Sequence, residues 1–374
     1  MDKRVFLFVI DGFGIGESED AKDYGDVGSN TFEHIFQKTN VTLPTLTKLG
    51  LTNIDGMNFD KRADVIGTYG KLRELSKGKD TTTGHFEMMG LINKNGLPTF
   101  PNGFPKDVVN KLEKAFGTKI LGNYASSGTE IIEKLGNEHI ETGYPIVYTS
   151  GDSVLQIACH TDIISLDTLY DYCKKAREIM SGDYAVGRII ARPFTTLDGH
   201  FVRQNNLRKD FALTPDKNNT MQRLVDADKE VIAVGKISDI FDNQSITKNY
   251  PSHSNDVALK DVSEIASMDF SGLVFINLVD TDMLYGHRND FYGYAQCLKD
   301  FDNYLHNFIQ QMKENDIVIV TGDHGNDPTT ASTDHSREFV PILIYGKNYT
   351  KNLNLGTLNG FNVVGNVVED YLLK

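Results

Sequence analysis

The chain has 374 residues, 40% of them hydrophobic and 24% charged, which is enough for two domains with real cores. Its net charge of -13 argues against a nucleic-acid-binding surface, which needs a basic stripe, but not against an anionic substrate, because bound cations reverse the local sign of a site. No run approaches the roughly 18 apolar residues of a membrane span, and Cys159, Cys173 and Cys297 have neither metal nor disulfide spacing, so a reducing, cytoplasmic setting is expected.

The first element follows Met1-Asp2-Lys3-Arg4. The apolar run 5–10 (VFLFVI) is too short for a secretory core and ends at Asp11-Gly12 without a small-residue cleavage pattern. It reads as a buried strand that delivers Asp11 to its carboxyl end. Further on, Lys79-Asp80-Thr81-Thr82-Thr83-Gly84-His85 precedes Phe86-Glu87-Met88-Met89, a helix start. The ordinary reading is an N-cap. A helix N-terminus also attracts phosphate through its free N–H groups and dipole. A threonine hydroxyl placed there beside a cation becomes nucleophilic. Spacing alone does not choose among Thr81, Thr82 and Thr83.

Residues 93–215 read differently. Their elements are short and mixed, punctuated at Gly96-Leu97-Pro98, Pro101-Asn102-Gly103 and Gly143-Tyr144-Pro145. This predicts an α+β domain inserted into a core made of residues 1–92 and 216–374.

The core then resumes with apolar strands at 231–234, 273–279, 317–320 and 340–345, alternating with helical patterns at 292–312 and 363–373. That alternation predicts an α/β fold with a mostly parallel central sheet flanked by helices. The strand at 273–279 runs into Asp280-Thr281-Asp282, with His287 five residues after Asp282. The strand at 317–320 runs into Thr321-Gly322-Asp323-His324-Gly325-Asn326, with Asp334-His335 shortly after. Open α/β sheets bind ligands beyond the carboxyl ends of their strands. An Asp at one strand end is most often a turn or cap residue. Three strands ending in Asp and His at the same edge point instead to metal. Oxygen and imidazole without thiolate suit Mn, Zn or Mg-like ions. Six ligands are too many for one catalytic ion with open positions, whereas two adjacent ions would clamp a phosphoryl group.

These motifs resemble those of the alkaline phosphatase superfamily and, within it, the phosphopentomutases. The resemblance rests on 9–16 (VIDGFGIG), 79–87 (KDTTTGHFE), 282–288 (DMLYGHR), 321–328 (TGDHGNDP) and 334–338 (DHSRE), in the family's order across nearly the whole chain. It implies an alkaline-phosphatase-like core with an inserted cap. It implies one metal on Asp11, Asp323 and His324, and a second on Asp282, His287 and His335. The nucleophile is implied to be Thr81, which stands three residues before Gly84-His85 as the serine does in the related phosphoglycerate mutases. Asp152 in 149–153 (TSGDS), Arg188, Arg203 and Lys236 are implied to hold the sugar phosphate. Mn2+, activation by a sugar bisphosphate such as glucose 1,6-bisphosphate, pentose phosphates as the small-molecule substrates and a link between nucleoside and pentose phosphate metabolism are implied as well. Phe86 stands where many relatives carry Trp, and the chain has no Trp. No long apolar stripe is left over, so a monomer is expected.

Overall fold

A computed structural model of the chain describes residues 2–151, 153–350 and 352–374. It divides into two compact units, Met1–Asn95 with Pro215–Lys374, and Gly96–Thr214. The first unit opens with β1 (Arg4–Ile10) and β2 (Thr68–Arg73). The second holds β3 (Leu121–Ala125), β4 (Ile146–Thr149), β5 (Val154–His160), β6 (Arg188–Leu197), β7 (His200–Arg203) and β8 (Lys209–Ala212). The first unit resumes with β9 (Glu230–Val234), β10 (Lys248–Tyr250), β11 (Gly272–Leu278), β12 (Asp316–Gly322), β13 (Val340–Gly346) and β14 (Leu353–Asn359). The helices of eight residues or more are α1 (Thr31–Thr39), α2 (Thr81–Met88), α3 (Lys106–Phe116), α4 (Gly128–Thr142), α5 (Leu166–Ile179), α6 (Asn255–Ser267), α7 (Phe291–Gln311) and α8 (Asn362–Leu373). No helix among the described residues is long and apolar enough to cross a membrane.

The sheet of the first unit runs β10-β9-β11-β1-β12-β13-β2-β14, with β13 alone reversed. The expected α/β class with a mostly parallel sheet is therefore what the chain adopts. β1, β11 and β12 are apolar without alternation because both their faces are covered. Phe6, Phe8 and Ile10 face one core, where the Phe8 ring lies 5.4 Å from Phe301 and 5.5 Å from Phe308 of α7. Val5, Leu7 and Val9 face the other, against Val364, Val368 and Leu372 of α8. At the opposite edge from the Asp and His residues, buried Arg4 makes a bidentate pair with Asp316, at 2.8 and 2.7 Å. Register then sets the functional edge. Ile10 pairs with Leu278 on one side and with Gly322 on the other, so all three strands end level.

The second unit is built on a mixed sheet, β3-β4-β5-β6-β7, with β8 also paired to β6. α3 and α5 bury Val108, Leu112, Leu169, Cys173 and Ala176 on one face. On the other, α4 covers Tyr148, Ala158 and Phe194 with Ile131 and Ile132.

Candidate metal centre

Asp11 is the first residue past β1. Gly12 turns the chain there with a φ of +79°, and its N–H donates to Asp323 Oδ1 at 3.0 Å. Asn277 Nδ2 donates to Asp11 Oδ2 at 2.9 Å, leaving Asp11 Oδ1 buried with no hydrogen-bond partner among the described residues. Past β11 a π-helical turn, Thr281–Tyr285, presents Asp282, and the Thr281 hydroxyl donates to the Asp11 carbonyl at 2.6 Å. His324 follows β12 with Nδ1 against Gly325 O at 3.0 Å, which directs Nε2 at the cluster. His287 Nδ1 is likewise held by Thr333 O at 2.7 Å. A histidine whose second nitrogen is fixed in this way is oriented as metal-binding histidines are.

His324 Nε2 lies 3.3 Å from Asp11 Oδ1 and 3.4 Å from Asp323 Oδ2. Asp282 Oδ2 lies 3.1 Å from His287 Nε2, and its Oδ1 lies 3.3 Å from His335 Nε2. Ligand atoms about 2.1 Å from a shared cation sit roughly 3.0–3.4 Å apart, so these separations fit metal coordination. Asp11 Oδ1, Asp323 Oδ2 and His335 Nε2 are buried and make no hydrogen bond among the described residues, which also fits atoms directed at a cation. Among the described residues two donor groups result, Asp282 with His287 and His335, and Asp11 with Asp282 and His324. Asp282 reaches both groups, which the motif order did not reveal, and Asp323 stands beside the second.

The electrostatics follow from this crowding. Burial, then Asp323 and Asp282, push Asp11 above its usual range. Burial opposes charge on Asp282 too, yet contacts from His287 and His335 hold it well below the carboxylate range. Burial opposes charge on His324, but Asp323 and Asp11 raise it well above the usual imidazole value. A site this rich in facing carboxylates is one that divalent cations relieve.

Thr81 opens α2, and its Oγ1 lies 3.2 Å from His324 Nε2. Its neighbour Thr83 is engaged elsewhere. The Asp80 side chain caps the helix by accepting from Thr83 N at 3.1 Å and from Thr83 Oγ1 at 2.6 Å. Arg337, two residues beyond His335 and buried, binds Glu74 and donates to Gly78 O at 2.6 Å, which ties the approach to Thr81 to the loop of His335. Lys236, past β9, places Nζ 3.6 Å from Met283 Sδ on the π-helical turn.

A family model described as the Metalloenzyme superfamily matches residues 3–374. The chain is 49% identical over 372 residues to a phosphopentomutase of Acetivibrio thermocellus, covering 99% of this chain and 96% of that one. The chain belongs to the phosphopentomutase family. A second phosphopentomutase, from Caldanaerobacter subterraneus, is 51% identical over 357 residues, 95% of this chain and 91% of that one. The PH0037 protein of Pyrococcus horikoshii shares the fold, with a TM-score of 0.51 at 15% identity, covering 100% of this chain and 98% of that one. The match to a metalloenzyme family and the two donor groups agree that this phosphopentomutase-family chain uses divalent metal.

Sequence reasoning passed over two residues around the phosphopentomutase-family site, and one in the second unit. Asn277 was visible as the one polar residue inside the apolar run 273–279. Asn326, whose Nδ2 donates to Asp282 Oδ1 at 2.6 Å, sat in a quoted motif without a role. Arg192 was visible four residues after Arg188 in 187–194 (GRIIARPF) and was given no role. There Arg203 pairs across from Phe194, six residues along β6 from Arg188. At ~3.3 Å per residue that separates the two strand positions by about 20 Å, so Arg188 and Arg203 do not stand side by side. Arg188 is 3.7 Å from Asp210, while Arg192 lies between, its Nε donating to Gln156 Oε1 at 3.0 Å. Asp152 lies outside the described residues.

Proposed function

We propose that the chain interconverts ribose or 2-deoxyribose 1-phosphate and the corresponding 5-phosphate, with Thr81 carrying the phosphoryl group between them. The observation that supports this most is the Thr81 hydroxyl 3.2 Å from His324 Nε2, within a cluster of Asp and His side chains, in a chain of this family. Two divalent ions, Mn2+ by family resemblance, would rest on Asp11, Asp323 and His324 and on Asp282, His287 and His335, with Asp282 between them. When bound they supply positive charge that stabilises the phosphoryl oxygens and lowers the pKa of a nearby hydroxyl.

The chain's own residues do the rest. The first turn of α2 offers its free N–H groups to a phosphate, and the Asp80 cap holds that turn in place. Phosphorylated Thr81 gives its phosphoryl group to the free hydroxyl of a pentose phosphate. The Thr81 O–P bond breaks, the sugar O–P bond forms, and the sugar's hydroxyl proton passes to the released threonine oxygen. The resulting bisphosphate presents its other phosphate, which Thr81 takes back in the same exchange. Glucose 1,6-bisphosphate or a similar ester loads Thr81 at the start. Asp152, Arg188, Arg203 and Lys236 are assigned to the sugar phosphate by family resemblance, because planar guanidinium groups suit phosphate oxygens, and the spacing of Arg188 and Arg203 along the sheet gives those two separate contacts rather than one shared clamp. The inserted unit is assigned the role of cap. It keeps water from the phosphothreonine, which separates a mutase from a phosphatase. The reading includes a monomer acting in a reducing cytoplasm, in keeping with three free cysteines.

The test is peptide mass mapping after exposure to glucose 1,6-bisphosphate and Mn2+. Phosphate on Thr81, chased off by ribose 1-phosphate, supports the reading. Phosphate on Thr82 or Thr83, or on none of the three, contradicts it.

A further inference from the structure

We infer that His85 is a positioning residue that holds the turn carrying Thr81 beside Asp323, its Nδ1 hydrogen donated to the Thr81 carbonyl. His85 is fully buried and belongs to neither donor group of the metal centre. Its Nδ1 lies 2.8 Å from the carbonyl oxygen of Thr81 and 3.2 Å from Asp323 Oδ2. Both neighbours are acceptors, so Nδ1 carries the hydrogen. The N–H is directed at the carbonyl, and the carboxylate lies off that axis as an electrostatic contact. The ring is stacked on Phe275, with centroids 5.6 Å apart and planes 27° apart. Its Nε2 is buried with no partner among the described residues.

A core position that only needed volume would be filled by an apolar side chain, without leaving a polar atom buried and unpaired. The nitrogen that is partnered sits where the residue of the proposed nucleophile meets a proposed ligand. Gly84 makes the meeting close, since a Cβ there would stand 2.1 Å from Asp323 O. The hydrogen bond fixes the backbone of Thr81, and so the aim of its hydroxyl at His324. This inference rests on the reading of Thr81 as nucleophile.

The test compares His85→Asn with His85→Gln in the full chain. The Asn amide nitrogen falls where Nδ1 was, and the Gln nitrogen falls where Nε2 was. Asn should keep kcat and the rate of Thr81 phosphorylation by glucose 1,6-bisphosphate within about threefold, whereas Gln should lose ~10–100-fold in both. KM for ribose 1-phosphate should hold in each. Equal losses in Asn and Gln, with Thr81 phosphorylated in the wild type, would overturn the inference and leave the nucleophile intact. A wild type that takes no phosphate at Thr81 would remove both. One readout needs no variant to fold: 15N-labelled histidine in the wild type should report His85 with hydrogen on Nδ1, and hydrogen on Nε2 would overturn the inference.

Discussion

Asp282 carries more than its share of the site, since one of its oxygens faces His287 and the other His335, while the group that includes His324 reaches it too. If the site holds two ions as proposed, Asp282→Asn should weaken binding of both, by ~10-fold or more each, where His287→Ala weakens one. Titration calorimetry with Mn2+ counts the sites, and loss of a single site in Asp282→Asn would contradict the shared role. Thr81→Ala should abolish transfer and Thr82→Ala should leave it nearly intact, read as ribose 5-phosphate formed per minute. Away from the site, the Asp20 carboxyl is held below its usual range. Burial opposes this, but hydrogen bonds from Arg337 and Ser18 prevail. Its contribution to stability is present above the unfolded value of ~3.9 and is lost as pH falls through the lower folded value. Asp20→Asn should flatten the acid limb of stability below about pH 4, followed by urea midpoint against pH. The Asp and His residues that the structure brings together were legible in sequence because they followed apolar strands. Spacing did not choose among the three threonines, because what sets Thr81 apart is its hydroxyl beside His324, a contact made across 243 residues of chain.

At the scale of elements, the legible strands were those buried on both faces. β1, β9, β11, β12 and β13 are continuous apolar runs and were read within about two residues of their ends. β2, β10 and β14 were missed. β10 is three residues long, and β14 is mostly exposed and polar, so neither shows the apolar run that marks a buried strand. The separation of Arg188 from Arg203 was hidden for a related reason, since it depends on the register of the β6–β7 hairpin. Close packing of α2 on the end of β12 makes Gly84→Ala a test of the element contact. The added methyl would meet Asp323 O at 2.1 Å, so the helix must shift, and both thermal stability and transfer should fall. Normal activity in that variant would show that the contact does not set the site. On the far edge, Arg4→Met leaves Asp316 buried without its partner and should cost about 3–5 kcal/mol in urea unfolding.

At the scale of the whole molecule, the sheet of the first unit is assembled from segments before and after the second unit, so the strands ending at Asp11, Asp282 and Asp323 meet only when the chain has closed on itself. Metal binding is then linked to folding, because the donors are together in the native state alone. Removing metal with EDTA should lower the melting temperature by several degrees and stop transfer, and Mn2+ should restore both. An unchanged melting temperature would separate the metal from the fold. The central claim is that the phosphoryl group moves between sugar positions without passing to water. Purified protein with ribose 1-phosphate, Mn2+ and a trace of glucose 1,6-bisphosphate should yield ribose 5-phosphate with no matching free phosphate, whereas free phosphate released in step with substrate loss would contradict the account and make this chain a phosphatase.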